Sequence, residues 1–404
     1  MVPARGVLYW AILFGAICIT PLLAQVPTSP TREGTMDSTV PRVAFIPIPL
    51  SAPATTNAHV FYATNRQVSG TGHVAIDYSD SMSSNLLSFG ACTVSIPRDH
   101  RMGALESPSI FRLQFRNDPQ KHIILQEILP LGREEFFRQV RVRAQKSERK
   151  ELLVFIHGFN VSFEDAVRRT AQLAYDLGLD GVPIAFTWPS HHLSGPADLL
   201  FSSLPESLPL LEPIMRTDYM AAEEDADRAA FALKELLNQL LLRSGATTIN
   251  LISHGLGGRV LSRALHEIDA PEYNAKVMFR EVMITAPDID VELFKQLLVA
   301  FRFRAARITL YASSRDRILG FSRAIHGGHP RAGESGANVV IAPGLDTVDV
   351  SLVDTGLDGH SYYGDNRSVI SDMFYLLRSG LPPKLRFGLY RMLAPLGEYW
   401  LFRP

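Results

Sequence analysis

The sequence predicts an α/β fold: a mostly parallel sheet with helices on both faces, preceded by a small β-rich extension. Three observations predict it. Short continuous apolar runs at 152–156, 183–187, 248–252, 282–285 and 308–312 have the length and composition of strands buried on both faces. Helix-period segments at 162–177, 223–242, 257–268 and 291–299 alternate with them, which calls for parallel strands joined by crossover helices. Hydrophobic residues make up 46% of the 404 residues and charged residues 20%, enough apolar material for a sizeable core.

Taken in order, residues 1–24 read as a signal peptide or an anchor. Arg5 is the only charge before an apolar run over 7–23, which Thr20 and Pro21 break, and the run is short of the roughly 20 residues of a spanning helix. Ala24 stands before the expected cleavage point. Cys18 raises lipid attachment as an alternative, which bulky Ile17 disfavours. Residues 25–54, rich in Pro, Thr and Ser, read as a flexible leader. Residues 55–145 read as an extension packed on the core, with β-like runs at 59–63, 91–96 and 110–115 and a helix at 136–144. Arg138, Arg141, Arg143 and Lys146 on and just after that helix read as a solvated basic face. The core domain is expected over 146–380. Its helix 162–177 carries Glu164, Asp165, Arg168 and Arg169 on the expected polar face. The Leu/Pro-rich stretch 190–218 reads equally as a lid or a surface insertion, and 381–404 as a C-terminal tail.

Charge and cysteine usage narrow the class. A formal net charge of −1 leaves no overall basic field for nucleic acid or an anionic membrane, so membrane contact is expected only through the N-terminal segment. The two cysteines are Cys18 and Cys92; removal of a signal leaves Cys92 alone, with no internal disulfide. The whole is consistent with an exported protein of the periplasm or cell envelope. No metal site is expected: His191-His192 and His326/His329 lack carboxylates or cysteines at ligand spacing. No phosphate loop or dinucleotide fingerprint occurs, and no cofactor is expected.

The most informative segment is 249–261, where a strand turns sharply into a helix. A turn this tight needs small residues two before and two after its tip. Those residues are Ser253 and Gly257, and the tip is Gly255. In a nucleophile elbow the tip carries the attacking side chain, and the following helix aims backbone N–H groups at it. Three companions support the comparison. His157-Gly158-Phe159-Asn160 follows the first core strand, where a loop supplies one oxyanion N–H; Phe159 and Leu256 would be the two donors. Asp316 lies just past the strand at 308–312, where the orienting acid belongs; Asp288, after the preceding strand, is the rival. His360 follows the last apolar run. Tip, acid and histidine stand in the chain order of an α/β-hydrolase fold. Each companion has a plain alternative: an Asp after a strand often caps a helix, and a lone His is usually unremarkable.

With those residues in view, the chain resembles a bacterial α/β-hydrolase family of unknown function, related to esterases and lipases. The segments that carry the resemblance are 60–66 (VFYATNR), 155–160 (FIHGFN), 186–190 (FTWPS), 286–290 (APDID), 310–316 (LYASSRD) and 359–361 (GHS). The resemblance implies a Ser–His–Asp site, with the family's acid at Asp316 and its base at His360. The family's elbow reads Ala-His-Ser-Met-Gly-Asn; here it reads Ser253-His254-Gly255-Leu256-Gly257-Gly258, so the mismatch falls on the nucleophile itself.

Glycine at the tip cannot form an acyl-enzyme. Removing such a serine costs on the order of 10⁶ in turnover, while the oxyanion hole and binding leave about 10³–10⁴ over water. Ser253, two residues back on the strand, is expected to pack beneath the turn, and His254 is not the family's nucleophile. Attack by water activated by His360 and Asp316 is the remaining chemical route. The expected function is therefore a binding module of the cell envelope with little or no catalysis, taking a small ester, amide or lipid-like ligand. The alternatives are a weak ester or amide hydrolase that uses water, and a working enzyme carrying an isolated substitution.

Overall fold

A computed structural model describes residues 55–70, 76–83, 87–107, 118–190, 208–268, 279–353 and 359–404. The expected signal, leader and β-run at 110–115 lie outside these residues, as does 191–207 of the insertion.

The elements in chain order begin with strands β1 (Thr55–Thr64), β2 (Arg66–Ser69), β3 (Asp77–Met82), β4 (Ser88–Pro97) and β5 (Ile124–Leu131). Helix α1 (Arg133–Lys146) leads to β6 (Glu151–Ile156), α2 (Phe163–Asp176), β7 (Gly181–Thr187), α3 (Leu208–Arg243), β8 (Thr248–His254) and α4 (Leu256–Glu267). Then come β9 (Phe279–Thr285), α5 (Val291–Phe301), β10 (Ala305–Ala312), α6 (Arg317–Ile325), β11 (Asp346–Asp349), α7 (Tyr362–Asp365), α8 (Arg367–Ser379), β12 (Leu389–Ala394) and β13 (Gly397–Phe402). Eleven of the strands form one sheet in the order β12-β13-β11-β10-β9-β8-β6-β7-β1-β4-β5. Pairing is parallel from β13 across to β1 and antiparallel at both ends. This is the α/β-hydrolase fold.

β6 is apolar from Leu152 to Ile156 because it sits between β7 and β8, and all six of its residues, Glu151 included, are buried. The chain leaves β6 for β7 on one side and returns to β8 on the other. That reversal places the loops after β6 and β8 side by side at the carboxyl end of the sheet, the usual ligand position in open α/β sheets. Apolar residues on both faces of β1 are buried: Phe61 and Ala63 pack into the main core, Val60 and Tyr62 under α2. The 55–145 region therefore continues the same sheet through β1, β4 and β5, while β2 and β3 pair separately.

Three expectations need correction. Residues 381–404 are not a loose tail: β12 and β13 form a hairpin that joins the sheet beside β11, and Trp400 and Phe402 of β13 are buried against α8 and neighbouring strands. Two buried residues on alternate positions of a six-residue strand give too short a period to read. The long helix begins at Leu208, not 223, so the last part of the 190–218 stretch, from 208 on, is helical. Pro209 falls in its first turn, where a missing N–H costs nothing. Arg168 of α2 is buried rather than on a polar face; its Nε donates to the Ile123 carbonyl (2.7 Å) and its Nη2 to Ser107 Oγ (2.6 Å). A long side chain can cross to the backbone of an adjoining loop, which periodicity does not register.

Among the described residues no helix is long and apolar enough to cross a membrane. Cys92 is buried and free.

One buried ion triad ties the loop after β4 to α2. His100 Nδ1 donates to Glu106 Oε2 and its Nε2 to Asp176 Oδ1, both at 2.9 Å. Burial opposes a charged imidazole, but the two carboxylates outweigh it and raise the pKa from 6.5 to about 9. A raised folded-state pKa means the stabilisation is complete below about pH 6.5 and lost as pH rises through 9. We expect the unfolding free energy to fall by about 2–3 kcal/mol across that window. His100→Gln should start lower and show a flat profile; denaturant titrations at pH 6 and pH 9.5 check this, and parallel profiles would refute it.

Candidate active site

The site stands on the turn between β8 and α4. Gly255 has φ 56° and ψ −126°, a backbone state that strains an L side chain and costs glycine little. Its N–H donates to the Thr285 carbonyl (3.1 Å), and its own carbonyl accepts from the Gly258 and Asp288 N–H groups at 2.9 and 3.0 Å. The turn is thus pinned to β9 and to its own helix. Two residues on, a Cβ at Gly257 would lie 2.4 Å from the His157 carbonyl oxygen and 2.6 Å from that of Ile156. This close approach is why only glycine fits there. Ser253 is fully buried beneath the turn, and its Oγ has no hydrogen-bond partner among the described residues. No hydrogen bond joins it to the histidine of the site.

His360 arrives from the loop before α7. Its Nδ1 lies 2.7 Å from Asp316 Oδ2. A carboxylate only accepts, so Nδ1 carries the proton, and in the neutral ring the lone pair is on Nε2. That Nε2 faces the turn: a Cβ on Gly255 would stand 3.3 Å from it. Asp316 caps α6, its Oδ1 accepting from the Leu319 N–H at 3.0 Å, and its side chain is fully buried. Burial pushes its carboxyl pKa up, while His360 pulls the other way. The helix-cap alternative and the orienting acid are thus the same residue, one oxygen serving each purpose.

The rival acid is elsewhere. Asp288 Oδ1 accepts from Arg331 Nε (2.5 Å) and Ser322 Oγ (2.8 Å), and both charged side chains are almost fully buried. Arg331 also reaches Glu223 Oε1 at 3.2 Å, and Glu223 Oε2 meets His326 Nε2 at 2.7 Å. This network joins α3, α6 and the loop behind the elbow. His326 belongs to it and is not simply a solvent-exposed loop residue.

The two flanking histidines hold backbone and rings in place. His157 Nε2 accepts from the Trp188 N–H (3.1 Å), so its proton is on Nδ1, which donates to the Gly158 carbonyl (2.9 Å). Its ring stacks on Trp188 with 3° between planes. Burial, and then the charge of Arg66, drive its pKa down to about 3, so it is neutral. His254 Nε2 donates to the His360 carbonyl at 3.3 Å. Its ring lies against His360 (centroids 4.3 Å) and stacks on Tyr363 (4.3 Å, 25°). Burial foremost, then His360, keeps it uncharged.

Phe159 and Asn160 follow in the loop after β6. Asn160 takes φ 55°, its N–H donating to the Ser190 carbonyl (3.3 Å), and the Phe159 ring packs on Tyr219 (5.0 Å). Leu256 is the first residue of α4, so its N–H has no partner within the helix. A cavity of about 190 Å³ opens over His360, between Phe159, Tyr363, Leu105 and Ile318. Arg169 lines it too, paired with Asp365 (2.8 Å) and lying over the Tyr363 ring (5.6 Å). Tyr363 and Arg169 were not read as site residues. The sequence signal for Tyr363 is its place three residues after His360; Arg169 carries none beyond its presence on α2. Among the described residues no group of three or more His, Cys, Asp or Glu is arranged to hold a metal.

Comparisons with known proteins find distant similarities among solved structures. An esterase from Pyrococcus furiosus is 13% identical, with 56% of this chain and 80% of that chain covered and a TM-score of 0.32. A cold-adapted esterase from an Arctic intertidal metagenomic library is 9% identical, with 80% and 94% covered and a TM-score of 0.30. A gene product of Listeria innocua is 9% identical, with 62% and 98% covered and a TM-score of 0.32. Among curated proteins none matches. The family model described as alpha/beta hydrolase of unknown function (DUF900) matches residues 133–378, from the start of α1 almost to the end of α8. That span is well over half of the 404 residues, and the chain belongs to this family of α/β-hydrolases.

Proposed function

We propose that this protein is a ligand-binding member of its hydrolase family, with little or no turnover. It takes a small ester, amide or lipid-like group at the Gly255 turn. The observation that carries this reading is the orientation of His360: its Nε2 faces a residue with no side chain, so a base is in place and its nucleophile is absent. The Leu256 and Phe159 N–H groups are assigned to the carbonyl oxygen of the ligand. The 190 Å³ cavity suits a short acyl or amide group and is smaller than the roughly 300 Å³ at which drug-sized sites begin. The apolar run at 7–23 supports export to the cell envelope, which fractionation of a tagged full-length chain would test.

One observation favours a second reading. The 3.3 Å from Nε2 to the position of a Gly255 Cβ is compatible with a water hydrogen-bonded to that nitrogen and directed at a bound carbonyl. Calorimetry with an alkyl phosphonate ester, alongside turnover of short-chain activated esters, separates the two. Binding readings predict a saturable complex that survives His360→Ala and a turnover no more than about 10⁴ over water. Turnover that is well above this and is abolished by His360→Ala would replace the first reading with the second.

A further inference from the structure

A second cleft lies at the opposite end of the sheet, against α1. It measures about 600 Å³, within the range of ligand sites. Gly181 at its edge opens β7, whereas Gly255 follows the carboxyl end of β8; a strand of this length separates the two ends by about 20 Å. The wall is mixed: Val142, 40% exposed, and half-buried Leu179 give it an apolar strip over the buried Phe61, among charged and polar residues. Arg138, Arg143 and Lys146 border it.

The three cations are not equivalent. Arg138 is bound in a bidentate pair to Glu135, at 2.7 and 2.5 Å. Arg143 and Lys146 have no ion pair or hydrogen bond among the described residues. Burial alone pushes the Arg143 guanidinium below its ordinary value, with no carboxylate opposing it. Its field reaches β1: burial first, and then Arg143, push the His59 imidazole down. Asp180 is the opposing charge on the rim, and its Oδ2 is occupied by the Arg149 N–H (3.1 Å). The cleft therefore offers two available cations beside apolar surface, with one acid against them. Solvation of a basic helix face explains the cations but not the exposed Val142 beside them.

We propose that this cleft binds a single-chain amphiphilic anion, its phosphate or carboxylate head on Arg143 and Lys146 and its chain against Phe61, Val142 and Leu179. The guanidinium fork suits a planar or tetrahedral oxyanion, and the ammonium adds a point charge. With so little net charge, the head alone is held weakly and the chain is needed.

The test is calorimetry with decyl phosphate below its micelle-forming concentration, with inorganic phosphate as the head-only probe. We expect saturable 1:1 binding of decyl phosphate and binding of inorganic phosphate at least 10-fold weaker. Arg143→Ala/Lys146→Ala should weaken decyl phosphate by at least about 10-fold, as charge-assisted hydrogen bonds of this kind predict. Arg141→Ala, on the same helix but beside Gly245, should change nothing. Thermal unfolding of each variant confirms that these surface changes leave the fold intact. Equal affinity for inorganic phosphate would remove the amphiphile. Unchanged binding in the double variant would place the ligand elsewhere and overturn the site.

Discussion

Gly255→Ser is expected to hydrolyse activated short-chain esters at least about 10³-fold faster than the parent chain. Loss of a nucleophilic serine from an intact site costs on the order of 10⁶, of which binding and the oxyanion hole retain only a part. Everything else the chemistry requires is on hand: Nε2 of His360 bears a lone pair and faces residue 255, and Asp316 holds the ring through Nδ1 at 2.7 Å. A Cβ at 3.3 Å is tight, so the ring must yield by a few tenths of an ångström. His360 is partly exposed, its side chain at 14%, which gives it room. The φ of 56° adds a strain of about 1–3 kcal/mol, so a lower melting temperature should accompany the gain. Gly255→Ala carries the same strain without the hydroxyl and is the control. Hydrolysis of p-nitrophenyl butyrate and labelling by a serine-directed phosphonate provide the readout. A folded Ser variant that neither hydrolyses nor labels would show that His360 is not poised as described.

Much of this was legible in the sequence because the elbow is dictated by sterics. Ser253 and Gly257 had to be small, and the structure shows why at Gly257: carbonyl oxygens of β6 and the loop after it stand where its Cβ would be. The five central strands were readable because each is buried on both faces and so lacks polar alternation. Asp316 and His360 could be paired only through chain order, since 44 residues separate them and spacing alone carries no distance. What escaped was set by tertiary contact. Arg168 looks like a surface charge until Ile123 and Ser107 meet it. The hairpin at the C-terminus takes its stability from β11, far away in sequence. The start of α3 hides in a run where apolar residues and prolines obscure any period.

The two acids that the sequence left in competition should fail in opposite ways. In the Gly255→Ser background, Asp316→Asn should reduce turnover by about 10⁴ while leaving stability nearly intact. Asparagine keeps an oxygen to accept from the Leu319 N–H, so α6 stays capped. Its amide, however, presents a donor to His360 Nδ1. The ring must then take its proton on Nε2, and no lone pair faces residue 255. Asp288→Asn should do the reverse. It removes the charge opposite Arg331 and leaves Glu223, at 3.2 Å, as the remaining carboxylate partner of that guanidinium, while the amide oxygen can still accept from Ser322. Removing one partner of a buried pair costs about 3–5 kcal/mol, and the remaining Glu223 should hold the loss near the lower end. The protein that stays folded at low temperature should retain most of its turnover, because Asp288 touches the elbow only through its backbone N–H to the Gly255 carbonyl. Parallel measurements of kcat and denaturant midpoint on the two variants decide the matter. If Asp288→Asn abolished turnover in folded protein while Asp316→Asn spared it, the orienting acid would be Asp288, and the 2.7 Å contact between Asp316 and His360 would be only a structural hydrogen bond.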